Sequence, residues 1–167
     1  AYFIKFSHNC FYNFLRNIHK MKVALVCSSY PPYIKGGGEI STQLLAEGLK
    51  AQGVDVVVIA ASDLNSLEII NDVKVYRVKS PNIYWSHSSD AQPLFKKVIW
   101  HIFESVNFFA RVRLLPILRK EKPDILHTST IEDWSPSVWR AARRQGIKVV
   151  HTLRSYTLLC PRATMFK

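Results

Sequence analysis

The chain has 167 residues, of which 48% are hydrophobic and 21% charged, which suits one globular domain and is too short for two full α/β domains. Its net charge of +11 favours anionic partners such as nucleotides, phosphorylated sugars or acidic lipid headgroups. Three cysteines without a CxxC pair argue against a disulfide framework and a zinc site and favour a reducing, cytoplasmic setting. No apolar run approaches the roughly 20 residues that cross a bilayer.

Residues 1–20 differ in composition from the rest of the chain. They are aromatic and basic and contain no acidic residue, and their apolar residues recur at near-helical spacing, which predicts a short amphipathic helix. They lack the compact apolar run and cleavage site of a signal peptide. Because Met21 and Lys22 lead directly into a strand pattern, we expect residues 1–20 to be an N-terminal extension and residues 21–167 to form the domain.

The segment of residues 21–41, MKVALVCSSYPPYIKGGGEIS, predicts a buried strand, a proline-bearing loop and a helix entered through three glycines. Successive glycines let a ligand approach backbone N–H groups that the start of a helix leaves unpaired. Those donors and the positive end of the helix dipole suit a phosphate. Gly36, Gly37 and Gly38 are therefore a candidate anion-binding loop, and the simpler alternative is a flexible loop with a glycine helix start.

A helix and two strands are predicted after the glycine loop. The helix after the glycines is expected to span residues 39–51 and to bury one apolar stripe, formed by Ile40, Leu44, Leu45, Gly48 and Leu49. The β-branched run at residues 54–60 is typical of a strand covered on both faces. Residues 73–78 alternate in polarity and are expected nearer the sheet edge.

A long helical pattern follows a polar and aromatic loop at residues 81–92. Its apolar stripe consists of Phe95, Val98, Ile99, Ile102, Phe103, Val106 and Phe109. The stripe is expected to pack on the sheet, and the alternative is that its basic flank rests on a membrane surface. Pro116 is predicted to interrupt the helix, and Lys122 and Pro123 to end it.

The last third repeats the alternation of strand and helix. A short strand is predicted at residues 124–128, a helix capped by Ser135 at residues 136–146, and a final strand at residues 147–153. Strands that alternate with helices predict a Rossmann-like, doubly wound parallel sheet with helices on both faces. Ligands of such sheets sit beyond the carboxyl ends of the strands, where the chain places Ser28, Ser29, residues 127–130, Arg154 and Ser155.

The glycine motif excludes two common nucleotide sites. GGGEIST has no Lys before a Ser or Thr, as a P-loop requires, and its spacing is poor for a dinucleotide fingerprint. Asp63, near the end of the second strand, keeps an NAD-dependent oxidoreductase open as a weaker alternative. Metal-ligand spacing is absent, and no nucleic-acid-binding module is recognisable.

Several polar residues near this edge have both structural and functional interpretations. A histidine such as His127 at a strand end is more often a hydrogen-bonded structural group, and His151, inside a strand, is taken as structural. Glu39 either complements the helix dipole or positions a ligand hydroxyl. Glu132 and Asp133 are expected to be solvated loop residues, with acid–base chemistry as the less favoured option.

Three segments in order carry a family resemblance. They are MKVALVCSSYPPYIKGGGEISTQLLAEGLKAQGVDVVVIA, KPDILHTST and WSPSVWRAARRQGIKVVHTLRSYTLLCPR. Together they resemble the N-terminal half of a family 4 type glycosyltransferase of the GT-B fold, a relative of the group 1 glycosyl transferases, over residues 21–167. The resemblance implies a retaining transferase that moves a sugar from a nucleotide-sugar to a glycan or lipid-linked acceptor, without a metal or other cofactor.

The resemblance also implies roles for particular residues. The family's glycine loop faces the interdomain cleft near the donor diphosphate, and the implied donor-phosphate and acceptor-binding residues are Gly36, Gly37, Gly38, Glu39 and Ser155. His127 matches the histidine after the fourth strand and is a candidate catalytic residue together with Arg154. Arg154 and Ser155 match a pair that often reads His-Asp or Arg-Asp, and Ser155 replaces the acid.

The family's second domain, which carries most of the nucleotide-sugar site, is not in this sequence. We therefore expect an incomplete acceptor-side domain that does not transfer sugar by itself, in a cytoplasmic protein with peripheral contact to the inner membrane surface as an option. A non-catalytic module that binds an anion or a nucleotide is the principal alternative.

Overall fold

The computed structural model describes residues 21–87, 93, 95–96, 99–100 and 107–154. The predicted N-terminal extension, most of the helical stripe between residues 97 and 106, and Ser155 lie outside these residues. In chain order the elements are β1 (Lys22–Cys27), α1 (Gly37–Ala51), β2 (Asp55–Ser62), β3 (Ser66–Ile70), β4 (Val73–Lys79), α2 (Phe108–Glu121), β5 (Ile125–Thr128), α3 (Ser137–Arg143) and β6 (Lys148–His151).

The strands form one six-stranded sheet in the order β3-β4-β2-β1-β5-β6. All neighbouring pairs are parallel except β3 and β4, which are antiparallel. The apolar runs of β1 and β2 lie at the centre because both of their faces are covered, as parallel sheets require. One hydrophobic cluster lies on each side of the sheet, with Ala46 of α1 in one and Leu114 of α2 in the other. The predicted Rossmann-like fold is confirmed.

Helix α1 is rotated relative to the predicted stripe. Its buried residues are Thr42 and Ala46, whereas Ile40 and Leu44 are 46% and 64% exposed. The prediction that these two residues are buried was therefore wrong. Small side chains at Thr42 and Ala46 let the helix lie close to the sheet, and that close approach turns the larger residues outward.

The sheet edge also differs from the prediction. Strand β4 is internal, because the unpredicted β3 pairs with its outer side. The two strands are joined by Asn71 and Asp72, which both have positive φ angles, as a two-residue hairpin turn requires. These residue types are a hairpin signal, so β3 could have been found from the sequence.

Helix α2 runs through Pro116 rather than being interrupted there. Pro116 is exposed, so water can satisfy the carbonyl group that loses its helical partner. Phe109, predicted on the buried stripe, is exposed as well. The helix ends at Glu121, and its C-cap residue Lys122 has a left-handed backbone immediately before Pro123, where the end was predicted.

Helix α3 is shorter than expected and begins without a capping side chain. Its N-cap residue is Pro136, not Ser135. The Ser135 hydroxyl does accept a hydrogen bond from the Ser137 amide at 3.3 Å, and a second one from the Asn107 amide at 3.2 Å. Ser135 thus joins the starts of α2 and α3 instead of capping one helix.

Candidate functional site

The end of β1 meets the end of β5 beside the glycine loop. The backbone N–H of Ser28 donates to Thr130 Oγ1 at 2.9 Å, and the two hydroxyl oxygens are also 2.9 Å apart. A Cβ atom on Gly38 would lie 3.9 Å from Thr130 Cγ2. Three segments far apart in the chain therefore form one surface at the carboxyl edge of the sheet, where the fold predicts a ligand.

The glycine loop presents open backbone at the start of α1. Gly36 is the N-cap residue, with extended backbone and no side chain to cap the helix. The N–H groups of the first helical turn, including those of Gly37 and Gly38, have no partner within the helix. Nothing lies within 4 Å of the position that a Cβ on Gly37 would take. An anion can therefore reach these donors.

The Glu39 side chain stabilises this loop through hydrogen bonds to two of its residues. Its Oε2 accepts a hydrogen bond from the Gly36 N–H at 3.0 Å, and its Oε1 accepts one from the Ser29 hydroxyl at 3.3 Å. This carboxylate also complements the helix dipole. The arrangement supports the structural interpretation of Glu39, since both of its oxygens have partners inside the loop.

Two tryptophans hold the end of β1. The indole N–H of Trp134 donates to the Cys27 carbonyl at 2.8 Å, and that of Trp85 donates to the Ser28 carbonyl at 3.0 Å. Both rings are buried. Sequence reasoning missed these contacts, because an aromatic residue in a loop gives no signal of which carbonyl it will reach.

Within the acidic pair after β5, Asp133 is not solvated, so the prediction was wrong for that residue. Asp133 is 0% exposed and accepts hydrogen bonds from the Ser80 hydroxyl and from the amide and hydroxyl of Ser86. Burial raises its pKa to about 7, against the lowering effect of these hydrogen bonds and with a further raising effect from Glu132. Glu132 is partly buried, and burial and nearby Glu39 raise its pKa.

The two candidate catalytic residues are close enough for the charge of Arg154 to act on His127. His127 is part of β5, and its Nε2 is 2.7 Å from Thr152 Oγ1. Burial lowers the pKa of His127, as do the charges of Arg154 and His151, and all three effects favour the neutral imidazole. The exposed Arg154 donates a hydrogen bond to the Ser41 hydroxyl, one helical turn after the glycines.

His151 lies on the face of the sheet opposite to His127, where its side chain contacts Thr128. Its Nδ1 is 2.8 Å from Thr128 Oγ1, which also accepts a hydrogen bond from the Trp139 indole at 3.0 Å. These contacts agree with its structural interpretation. A cavity of about 500 Å³ beside His151 is lined by Pro136, Trp139, Arg140, Arg143, Arg144 and Val149, so part of the positive charge lies away from the glycine loop.

The part of the chain that the structure describes contains neither a membrane-spanning helix nor a group of metal ligands. No helix there has the length and apolar character needed to cross a bilayer. No three His, Cys, Asp or Glu side chains are grouped there in a way that could hold a metal ion. Asp63 does follow β2 at the ligand edge, where its Oδ1 accepts a hydrogen bond from the Ser62 hydroxyl at 3.1 Å.

The mostly parallel sheet and the glycine loop at its carboxyl edge define a Rossmann-like α/β domain, and comparison with known proteins identifies the family. The family model of Glycosyltransferase Family 4 matches residues 35–162. The chain therefore belongs to Glycosyltransferase Family 4. It is an N-terminal domain of this type, with the Rossmann-like fold of GT-B proteins.

Two curated relatives and one solved structure are similar to this chain. An uncharacterised 42.6 kDa protein in the cps region of Klebsiella pneumoniae is 34% identical over 88% of this chain and 40% of its own length. An uncharacterised glycosyltransferase of Methanocaldococcus jannaschii is 36% identical over 68% of this chain and 25% of its own length. The chain thus spans less than half the length of these relatives.

The solved structure is the sucrose-phosphate synthase of Thermosynechococcus elongatus. It matches with a TM-score of 0.53 and 18% identity, over 86% of this chain and 36% of its own length. At that level of identity the likeness concerns the fold alone.

Proposed function

We propose that this chain is the acceptor-side domain of a retaining glycosyltransferase, which moves a sugar from a nucleotide-sugar to a glycan or lipid-linked acceptor. The observation that carries the proposal is the uncapped glycine start of α1, which lies against Thr130 and the end of β1. The amides of Gly37 and Gly38, which have no partner within the helix, suit the donor diphosphate. As the glycosidic bond breaks, negative charge grows on that leaving group, and fixed N–H donors stabilise it.

The remaining parts of the proposal follow from the family resemblance and the charges at the site. Retention, and transfer without a metal ion, are properties that the resemblance implies. Arg154, exposed beside α1 and hydrogen-bonded to Ser41, is proposed to hold an acidic or phosphorylated acceptor. We place the protein in the cytoplasm, with peripheral contact to the inner membrane surface where the acceptor is lipid-linked.

Calorimetric titration with UDP, GDP, UDP-sugars, GDP-sugars and NAD tests the donor site. We expect a nucleoside diphosphate or its sugar to bind, and NAD to bind more weakly. A clear preference for NAD would instead support the oxidoreductase alternative. Failure of every nucleotide to bind would remove the donor-phosphate role of the loop.

A matched pair of substitutions assigns the binding to the glycine loop. Gly37→Ala places a methyl group in open space beside the free amides, and we expect it to weaken diphosphate binding about tenfold, the equivalent of one charge-assisted hydrogen bond. Gly48→Ala, equally open and in the last turn of the same helix, is the control and leaves binding unchanged. Equal losses in the two variants would contradict the assignment.

Sugar transfer separates an enzyme from a non-catalytic binding module. We expect transfer from a polypeptide that joins these residues to a second GT-B domain, and none from the 167-residue chain alone. If nucleotides bind but the two-domain protein moves no sugar, the non-catalytic alternative stands. Transfer by the 167 residues alone would contradict the proposed division of the site between two domains.

A further inference from the structure

One buried carboxylate joins two loops at the carboxyl edge of the sheet. Asp133 Oδ1 accepts hydrogen bonds from the Ser80 hydroxyl and the Ser86 amide, both at 3.0 Å, and its Oδ2 accepts one from the Ser86 hydroxyl at 2.6 Å. The backbone of Asp133 is left-handed, with φ of 68°. Most non-glycine residues avoid this conformation, and Asp is among the few that adopt it readily in loops.

The segment held by Asp133 continues to the glycine loop. The Ser86 carbonyl accepts a hydrogen bond from the Lys35 ammonium at 3.0 Å, and Lys35 immediately precedes Gly36. The next residue back, Trp85, donates to the Ser28 carbonyl at 3.0 Å. Residues 80–87 therefore contact both ends of the segment that leads from β1 into α1.

We propose that Asp133 is a positioning residue for the glycine loop: it holds residues 80–87 in place, and these residues fix Lys35 and Ser28 on either side of the approach to the loop amides. The inference rests on the proposed function, because it assigns Asp133 to the same site. It differs from a purely structural role in one respect. Loss of the Asp133 contacts changes the order of the glycine loop and its affinity for a diphosphate, beyond any change in global stability.

Titration of Asp133 gives this proposal a distinctive signature. Its pKa rises from an ordinary value of 3.8 to about 7 while it is buried, and opening of the loop returns it to water. The closed arrangement binds the proton more tightly, so it is favoured at low pH and loses stability as pH rises from about 4 to about 7. Among the neighbouring titratable groups, Glu132 raises the pKa of Asp133 further, His87 follows Ser86 in the segment that Asp133 holds, and Lys35 donates a hydrogen bond to the Ser86 carbonyl.

Two substitutions of Asp133 separate positioning from charge. Asp133→Ala removes the acceptor and leaves the Ser80 and Ser86 donors without their partner. Asp133→Asn keeps one acceptor oxygen, its amide can donate to the Ser86 hydroxyl, and it cannot ionise. Glu121→Gln is the control, because Glu121 contacts Lys22 and Lys74 at the opposite end of the sheet and affects stability without touching these loops.

Hydrogen exchange of residues 28–39 and 80–87, with calorimetric titration of UDP or GDP, tests the proposal. We expect Asp133→Ala to raise exchange in both segments at least tenfold and to weaken binding at least fivefold. We expect protection in the wild type to fall between pH 5 and pH 7.5, and Asp133→Asn to restore protection relative to Asp133→Ala and to abolish that fall. Glu121→Gln lowers the melting temperature and leaves exchange in these segments and affinity unchanged.

Other results would overturn the proposal. They are a change in melting temperature alone for Asp133→Ala, or a wild-type pH dependence retained in Asp133→Asn. If Asp133→Ala does not fold, the proposal is still tested by the pH dependence of hydrogen exchange in the wild type and in Asp133→Asn. If the wild-type chain binds no nucleotide, the proposed function fails, whereas hydrogen exchange still tests Asp133 independently.

Discussion

Glu121 joins three elements at the amino end of the sheet through one buried side chain, which is 4% exposed. Its carboxylate contacts Lys22 at 2.6 Å and Lys74 at 3.1 Å and accepts a hydrogen bond from the Tyr76 hydroxyl. Burial by itself raises the pKa of Glu121, but the hydrogen bonds from Lys22, Tyr76 and Lys74 outweigh it and lower the pKa to about 2. The ionised form is therefore the one that stabilises the fold.

Replacing Glu121 with Gln tests this contribution. We expect the variant to lose roughly 2 kcal/mol or more of unfolding free energy at pH 7, because two lysines lose a buried anionic partner. The pKa is lowered on folding, so the contribution is complete above pH 4.5 and is lost as pH falls towards about 2. Urea unfolding from pH 7 to pH 3 measures both effects. An unchanged pH slope in the variant would contradict the assignment.

At the level of single residues, the sequence predicted the secondary-structure position of the glycines correctly but not the burial of Asp133. Gly36, Gly37 and Gly38 were predicted at a helix start, and the structure places them there, because the effect of a missing Cβ is local. Asp133 was predicted to be solvated, and it is buried. Its burial depends on Ser80 and Ser86, about 50 residues earlier in the chain, and no local pattern records that pairing.

The start of α2 shows how one side chain orders an element. Asn107 is buried, its side-chain oxygen accepts a hydrogen bond from the Ala110 amide at 3.2 Å, and its side-chain nitrogen donates to the Pro81 carbonyl at 3.1 Å. The first contact caps the helix. The second attaches the helix start to the segment that also includes Ser86, and so links α2 to the candidate site.

Substitution of Asn107 separates these two contacts. We expect Asn107→Ala to lower the unfolding free energy by about 1–2 kcal/mol, through loss of the cap and of a buried hydrogen bond. Asn107→Ser keeps a capping oxygen but cannot reach as far, and is expected to lose less. Urea denaturation at pH 7 compares the variants with the wild type. Equal losses for Ala and Ser would show that the cap contributes little.

Elements were predicted well where a continuous apolar run specifies their burial, and poorly where a tertiary contact decides which face of the element is buried. Strands β1 and β2 were predicted because a continuous apolar run specifies burial on both faces. The buried face of α1 was misjudged, since Thr42 and Ala46 pack on the sheet while Leu44 is exposed. A hydrophobic stripe gives the approximate face of a helix, but the distance of its closest approach to the sheet sets the rotation.

The charge of the whole molecule affects every anion that approaches it. The net charge of +11 creates a field that attracts anions without selecting a site, and salt screens it. Arg154 lies beside α1 and Ser41, whereas Arg143 lines the separate cavity next to α3. A specific contact and the general field can therefore be distinguished.

The comparison of Arg154→Gln with Arg143→Gln makes this distinction, because each variant removes one positive charge. We expect Arg154→Gln to weaken binding of a phosphorylated or acidic acceptor about fivefold to tenfold in the two-domain enzyme, the equivalent of one charge-assisted hydrogen bond. Arg143→Gln is expected to change it less than twofold, with any difference disappearing at high salt. Titrations at two salt concentrations measure both variants. Equal, salt-sensitive losses would mean that Arg154 acts only through the field.

The sequence by itself determined the alternation of strands and helices, the parallel sheet, the glycine start of α1 and the family. These features depend on residue spacing and on local backbone chemistry, which are written along the chain. The tertiary structure alone decided what meets at the site: Trp134 reaches Cys27 across 107 residues, and Thr130 reaches Ser28 across 102. Such contacts form when β5 pairs with β1 in register. Neither partner predicts the other until the sheet has brought them together.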